Sequence, residues 1–245
     1  TRYKLSGYFG NAEDLFVHKV AVSHVKTDAD TAQYSSWTSA IGKTEYDSKK
    51  LNTNYQLDIN FDREGEVKQA VSVLADYQNT KYVASAYNFA EKKLTEKSVA
   101  AEYRLFTEAD HSLSVSGRYT DNSLFENAFT ARLAGAYRFS PNVKAHASLG
   151  KAIHNPTMSE YYGWGGTWLA NPNLKAEKSL GGELGVLLET DDKRHSLDTT
   201  YFARNVDNFL SDENSVTGNY GNSTNRAVNR DGKTKIKGVE VAYNG

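Results

Sequence analysis

Between Tyr55 and Asp62 the chain alternates without a break. Tyr55, Leu57, Ile59 and Phe61 fall on one side, and Gln56, Asp58, Asn60 and Asp62 on the other. Side chains of a β-strand point to opposite faces in turn, whereas a helix repeats about every 3.6 residues, so this octet is amphipathic only as a strand. The same period returns along the chain. Leu113, Val115, Gly117 and Tyr119 oppose Ser112, Ser114, Ser116 and Arg118, and Phe129, Ala131, Leu133, Tyr137 and Phe139 run beside Arg132 and Arg138. Leu184 and Val186 follow Glu183, Leu197 to Ala203 oppose Asp198 and Arg204, and Val239, Val241 and Tyr243 close the series. A slip of one residue reverses every side chain, so the pattern assigns faces. Leu57, Ile59, Leu113, Val115, Leu133, Tyr137, Leu184 and Val186 are expected to point outward, and Gln56, Asp58, Ser114, Arg118, Arg132, Arg138 and Glu183 inward.

The connections between these strands alternate too. Gly10–Asp14, Arg63–Gly65, Glu108–Asp110, Ser140–Asn142 and Thr190–Lys193 read as tight turns. Thr27–Asp47, Gln78–Lys97, Asp121–Asn127, Ala152–Lys178 and Asn205–Thr234 read as medium to long polar loops. A soluble sandwich has no reason to place every long loop at one end, whereas membrane barrels have short turns at one rim and long loops at the other. About eleven strands of roughly 10–12 residues suit a tilted crossing of the hydrocarbon. The expected fold is therefore all-β, an antiparallel transmembrane β-barrel. It is a partial one, because an odd number of strands does not close a simple antiparallel barrel.

Composition narrows the alternatives. The 245 residues are 39% hydrophobic, with 16 Tyr and 10 Phe, and contain no run long enough for a membrane-spanning helix. Alternating strands average out to polar, so a barrel is not excluded. The chain has no cysteine, which removes disulfides, thiolate nucleophiles and Cys-based zinc sites. A net charge of -1 supplies no basic field for nucleic acid.

Two of the three prolines and two of the three tryptophans fall within Gly150–Gly185. Three elements stand there in order: Asn155-Pro156-Thr157-Met158-Ser159-Glu160-Tyr161, then Asn171-Pro172-Asn173-Leu174-Lys175-Ala176-Glu177-Lys178-Ser179, then Glu183-Leu184-Gly185. Lys235-Ile236-Lys237-Gly238-Val239-Glu240 looks like a further strand start. Together these resemble the TonB-dependent outer-membrane receptors. In that family a Pro-x-x-x-Glu-x-Tyr element and an Asn-Pro-x-Leu-Lys-x-Glu-x-Ser element flank an extracellular loop, and a Glu-x-Gly follows. Here the element is slightly altered, with Tyr161 directly after Glu160 and Tyr162 in the family's Tyr position.

The resemblance implies a larger, 22-stranded barrel enclosing a plug domain. Residues 1–245 would be its middle part, without the plug and without the C-terminal strands. It further implies a Gram-negative outer membrane, no enzymatic activity and no cofactor. Its partners would be a metal-chelate ligand, TonB acting through the plug, and outer-membrane lipid with lipopolysaccharide. Gly117–Ser123 and Gly232–Glu240 look most like cobalamin receptors, with ferric-siderophore receptors close behind. Haem receptors of the family carry an Asn-Pro-Asn-Leu box, intact here at Asn171–Leu174, and a preceding Phe-Arg-Ala-Pro box, which is degraded here to Ile153-His154-Asn155-Pro156. A passive porin or structural barrel is the alternative of a different class.

No catalytic pairing is visible, and the six histidines show no metal-site spacing. Asp28 and Asp30 supply two carboxylates where calcium takes about six to eight oxygens. The expected ligand surface is Tyr161, Tyr162, Trp164 and Trp168 among glycines, since aromatic faces give broad apolar contact with a polar handle. His154 is a possible further contact, because haem-iron ligation needs an accessible imidazole nitrogen. Pro156, Glu160, Asn171, Pro172, Asn173, Leu174, Glu177, Glu183, Gly238 and Glu240 carry the family pattern, with Glu183 and Glu240 taken as structural.

Overall fold

The computed structural model describes the chain except residues 12–13, 36–39, 85–89, 164–167 and 218–221. Its strands are β1 (Arg2–Phe9), β2 (Phe16–Ser35), β3 (Ala40–Asp62), β4 (Val67–Ala84), β5 (Lys92–Thr107), β6 (Ser112–Asn122), β7 (Ala128–Ser140) and β8 (Val143–His154). A short helix α1 (Met158–Tyr162) precedes β9 (Glu177–Glu189), β10 (Ser196–Asp207), β11 (Leu210–Thr217), β12 (Asn222–Asn229) and β13 (Lys233–Asn244). Strands β1 to β10 and then β13 form one eleven-stranded antiparallel sheet in chain order, while β11 and β12 pair separately as a hairpin. In such a meander each strand reverses the last. The connections 63–66, 108–111, 141–142 and 190–195 therefore share one end, and 155–176 and 208–232 share the other.

Three segments differ from their sequence reading: Asn205–Thr234, read as a loop, contains the β11–β12 hairpin, and two others are extended strand. Thr27–Asp47 and Gln78–Lys97 are mostly ladder: β2 and β3 pair continuously from Phe16↔Ile59 to Ser35↔Ala40, and β4 and β5 pair up to Tyr82↔Lys92. Beyond the membrane both faces of a strand meet water, so no apolar face is needed and the two-residue signature vanishes. The backbone hydrogen bonds persist because the register is already set below. What alternates is how far the strands project, more than how long the loops are.

Register fixes the faces. Asp58 lies opposite Ser72, Ser72 opposite Glu102, Glu102 opposite Ser116 and Ser116 opposite Arg132. Polar residues of this face bond across strands. Asp58 is buried and takes Lys19 Nζ at 2.7 Å, Gln56 Nε2 at 2.8 Å and the Ser72 hydroxyl. Ser114 donates to Glu102 at 2.8 Å, Arg118 to Ser98 at 3.0 Å and Ser148 to Glu183 at 2.7 Å. On the opposite face Leu113, Val115, Leu133, Tyr137, Leu184 and Val186 are exposed, as a lipid-facing band must be in the isolated chain. The facing expected from the sequence matches this arrangement.

Followed along the register, the outward apolar band does not stay level. Phe9, the last outward residue of β1, lines up through Leu57 and Ala131 with Lys235, yet the apolar stretch of β13 begins only at Val239. The band slips by about one residue per strand. With a rise of ~3.3 Å and a strand spacing of ~4.8 Å, that slip means strands inclined by roughly 35° to the membrane normal, the tilt that barrels have. Residues that share a register line therefore sit at different membrane depths.

The buried apolar cluster is not in the wall. Tyr82, Ala84, Leu94 and Met158 pack together at the long-connection end, with Tyr46, Leu124, Phe125 and Tyr162 against them. This crown is the region that the long connections build.

Candidate ligand-binding mouth

Strand β8 ends at His154 because Pro156, which has no N–H to give, follows two residues later. Pro156 is buried, and the next residue turns the chain into α1. Thr157 is the N-cap: Glu160 N donates to Thr157 Oγ1 at 3.2 Å, and Thr157 N donates to Glu160 Oε2 at 2.6 Å. This reciprocal capping box gives a physical reason for Glu160 at three residues beyond Thr157. Gly163 ends the helix at φ 72, a left-handed conformation open to glycine, and its carbonyl accepts from the buried Tyr82 hydroxyl at 2.9 Å. The helix was not visible in the sequence because one turn is too short to show a period.

The second motif acts as a clasp. Asn171 Nδ2 donates to Ala227 O at 2.8 Å, and its Oδ1 accepts from Asn173 N at 3.1 Å. Lys175 and Asn229 exchange two bonds, at 2.8 and 2.9 Å. Glu177 Oε1 accepts from Leu210 N at 2.7 Å, and Leu174 is buried between these contacts. Residues 171–177 thereby bind the β11–β12 hairpin to the loop after β8. Trp168 reinforces the junction through a bridge to Asn225, with its indole N–H on Ser159 O at 3.2 Å. Pro172 and Asn173 are exposed.

The expected ligand-contacting side chains are distributed as follows. Tyr161 is half-buried, edge-on to Phe125 at 5.4 Å and to Tyr162 at 5.0 Å. Tyr162 packs on the crown cluster with Lys92 Nζ 5.4 Å from its ring centroid, and burial pushes its phenol pKa up. Trp168 is half-buried, and Trp164 lies outside the described residues. His154 is exposed on the inward face, with Nδ1 3.1 Å from Glu177 Oε2. His154 thus closes β8, and the aromatic helix follows it four residues on, where the chain leaves the wall.

Inward of that mouth lies a cleft lined by Glu96, Arg118, Glu126, Arg132, His154 and Asn155 among others. Glu96 accepts from Gln78 Nε2 at 2.7 Å and Asn122 Nδ2 at 2.9 Å, while the buried Asn155 Oδ1 atom has no partner among the described residues. Lys178 beside the exposed Glu126 holds that carboxyl below its usual range. Glu96 and Asn155 were not singled out from the sequence, since they meet only across the fold, where Asn155 Nδ2 lies 3.4 Å from Glu96 Oε1, 59 residues away. Among the described residues no group of three or more His, Asp or Glu could hold a metal ion.

The remaining motif residues lie in the wall. Glu183 accepts from Ser148 and lies 3.7 Å from Arg132. Gly185 is required by its neighbours: a Cβ there would overlap the His146 ring, which crosses it so that Nε2 reaches Asp198 at 3.1 Å. Gly238 similarly lies under the Phe202 ring, and Glu240 pairs opposite Thr200 on the inward face.

An inclined meander with an outward apolar band, an inward polar face and a crown of long connections defines the wall of an outer-membrane-type β-barrel. The family model "TonB dependent receptor-like, beta-barrel" matches residues 1–245, and the chain belongs to that family, whose barrels are receptors of Gram-negative outer membranes. No curated protein matches. Among solved structures the chain is similar to the siderophore receptor PirA from Acinetobacter baumannii, at 17% identity and TM-score 0.74, over 99% of this chain and 41% of that one. It is similar to the ferric enterobactin receptor PfeA from Pseudomonas aeruginosa, as a Q482A mutant in complex with enterobactin, at 13% identity and TM-score 0.76, over 98% and 40%. It is also similar to the Serratia marcescens hemophore receptor HasR, a double mutant in complex with its hemophore HasA and heme, at 14% identity and TM-score 0.76, over 100% and 46%. The chain thus spans less than half the length of these receptors.

Proposed function

We propose that this chain is the middle part of a longer TonB-dependent transporter that captures a scarce metal chelate at its long-connection end. The plug and C-terminal strands belong to the rest of that polypeptide. The ligand is a ferric siderophore or cobalamin, and import follows when TonB, acting through the plug, couples inner-membrane energy to the barrel. The observation that carries this reading is the mouth itself. The motif-built helix carries Tyr161 and Tyr162 just after His154, which lines a cleft of mixed charge that a polar chelate can fill. Trp168 adds to the aromatic surface, and Trp164 is included on its place in the sequence. In this orientation the crown is extracellular and the short turns are periplasmic.

The second reading is haem. It is favoured by the intact Asn171–Leu174 box and by His154, whose Nδ1 lies 3.1 Å from Glu177 and whose Nε2 has no partner among the described residues.

The test changes Trp164 and Tyr161 to Ala in the full-length receptor, with His154→Ala made separately. Cobalamin, a panel of ferric siderophores and haem are then titrated against outer membranes. Losing two aromatic anchors should weaken binding of the cognate chelate by about tenfold or more. Unchanged affinity rejects the aromatic mouth. Binding of haem alone, abolished by His154→Ala, selects the second reading. Uptake that persists in cells without TonB makes the protein a passive porin.

A further inference from the structure

The cleft that His154 lines has a volume of about 700 Å³, and its charged groups are unevenly placed. At its long-connection end Glu96 Oε2 accepts from Gln78 Nε2 at 2.7 Å. Glu96 Oε1 accepts from Asn122 Nδ2 at 2.9 Å and from Asn155 Nδ2 at 3.4 Å. All three donors are amides, and no lysine or arginine pairs with this carboxylate among the described residues. Asn155 also carries the buried Oδ1 that has no partner among the described residues. One residue earlier, His154 holds Glu177 Oε2 at 3.1 Å from its Nδ1, which brings a second carboxylate to the same end. The cations nearby are held elsewhere. Arg118 donates at 3.0 Å to Ser98, two residues further down β5 from Glu96, and Arg132 lies 3.7 Å from Glu183. Lys151 stands opposite Leu180 on the outward face, and Lys92 Nζ lies 5.4 Å from the centroid of the Tyr162 ring.

An ionised carboxylate offers about four acceptor positions, and amide donors fill three of them on Glu96. The fourth, together with Asn155 Oδ1, leaves two acceptors on residues that line the cleft. A ligand N–H satisfies either one. The oxygen of an anionic chelate satisfies neither and meets a like charge instead. We propose that this end of the cleft selects an uncharged or cationic chelate bearing amide N–H groups and discriminates against polyanionic chelates. The side-chain amides of a corrinoid and the amide backbone of a ferric trihydroxamate share that chemistry. The proposal rests on the reading of the protein as a metal-chelate transporter and narrows the substrate class of the same site.

The experiment titrates the full-length receptor in outer membranes with four chelates. Cyanocobalamin and ferric desferrioxamine B carry amides without net negative charge, whereas ferric enterobactin and haem are anionic. Cyanocobalamin or ferric desferrioxamine B should bind at least about tenfold more tightly than either anionic chelate, and whichever does so identifies the source of the amides. Glu96→Gln keeps the shape of the side chain and removes its charge. It should weaken the preferred chelate by about fivefold or more while leaving the anionic ones unchanged or tighter, so that the ratio narrows. Asn155→Leu, which removes the open acceptor, should narrow it in the same direction. A misfolded variant would lose all ligands together, so the ratio separates selectivity from folding. Tightest binding of ferric enterobactin or haem, or an unchanged ratio in both variants, overturns the inference and leaves the transporter reading standing. Absence of binding by all four also overturns the inference, and absence of TonB-dependent uptake with it overturns the proposed function as well.

Discussion

The wall and the crown of this molecule use apolar residues in opposite ways. In the wall Leu113, Leu133, Leu184 and Val239 point away from the protein, and the interior is polar, held by cross-strand pairs such as Asp58–Ser72 and Ser114–Glu102. In the crown Tyr82, Leu94 and Met158 turn inward on one another, as in a soluble protein. The difference follows from the solvent on each side: lipid takes the outward apolar band, while water around the crown drives apolar side chains together. One chain therefore obeys two burial rules, and the boundary lies where β8 gives way to Pro156 and α1.

The comparison can be broken at either region. In the crown, Met158→Ala removes a buried side chain and should destabilise the local packing by about 2–5 kcal/mol. Surface proteolysis near residues 155–176 should rise while the barrel's resistance to unfolding by sodium dodecyl sulfate stays intact. Collapse of both together would show that crown and wall are one cooperative unit.

In the wall, Leu184→Arg places a charge in the outward band and should cost ~2–4 kcal/mol near the midplane. Folding into lipid vesicles, followed by tryptophan fluorescence across a urea titration, reads this directly. The neighbouring Glu183→Gln, facing inward, should cost much less. Similar losses at 183 and 184 would contradict the assigned faces.

A finer probe is Gly185→Ala. The added methyl meets the His146 ring and should cost about 1–3 kcal/mol by overpacking. Pairing it with His146→Ala should recover part of that loss, because the obstructing ring is gone. An additive double variant would mean that the glycine has another reason to be there.

How far each region could be read from the sequence follows the same division. In the wall, Tyr55 to Asp62 displayed its faces outright, because lipid on one side and polar groups on the other force a period of two. Where that contrast ends, the signal ends: the outer parts of β2 and β3 have water on both faces and read as loop. The crown was legible only through resemblance. The motif marked Glu160, Asn171 and Glu177. The capping box of Thr157 and Glu160 is local, three residues apart, but the clasp onto the β11–β12 hairpin depends on contacts 33 to 56 residues away in the chain that no local pattern encodes. The pairing of His146 with Asp198 across Gly185 was hidden for the same reason, since it needs the register of three strands.

The account's central claim is that a crown facing the outside surmounts a membrane-embedded wall. Intact cells expressing the full-length receptor can be labelled with a membrane-impermeant maleimide through a single cysteine at Ser215, in the hairpin of the crown, or at Glu64, in a short turn. The account predicts that Ser215→Cys is labelled on whole cells and that Glu64→Cys is labelled only after the outer membrane is opened. Labelling of Glu64→Cys but not Ser215→Cys on intact cells would invert the orientation, and with it the proposed mouth.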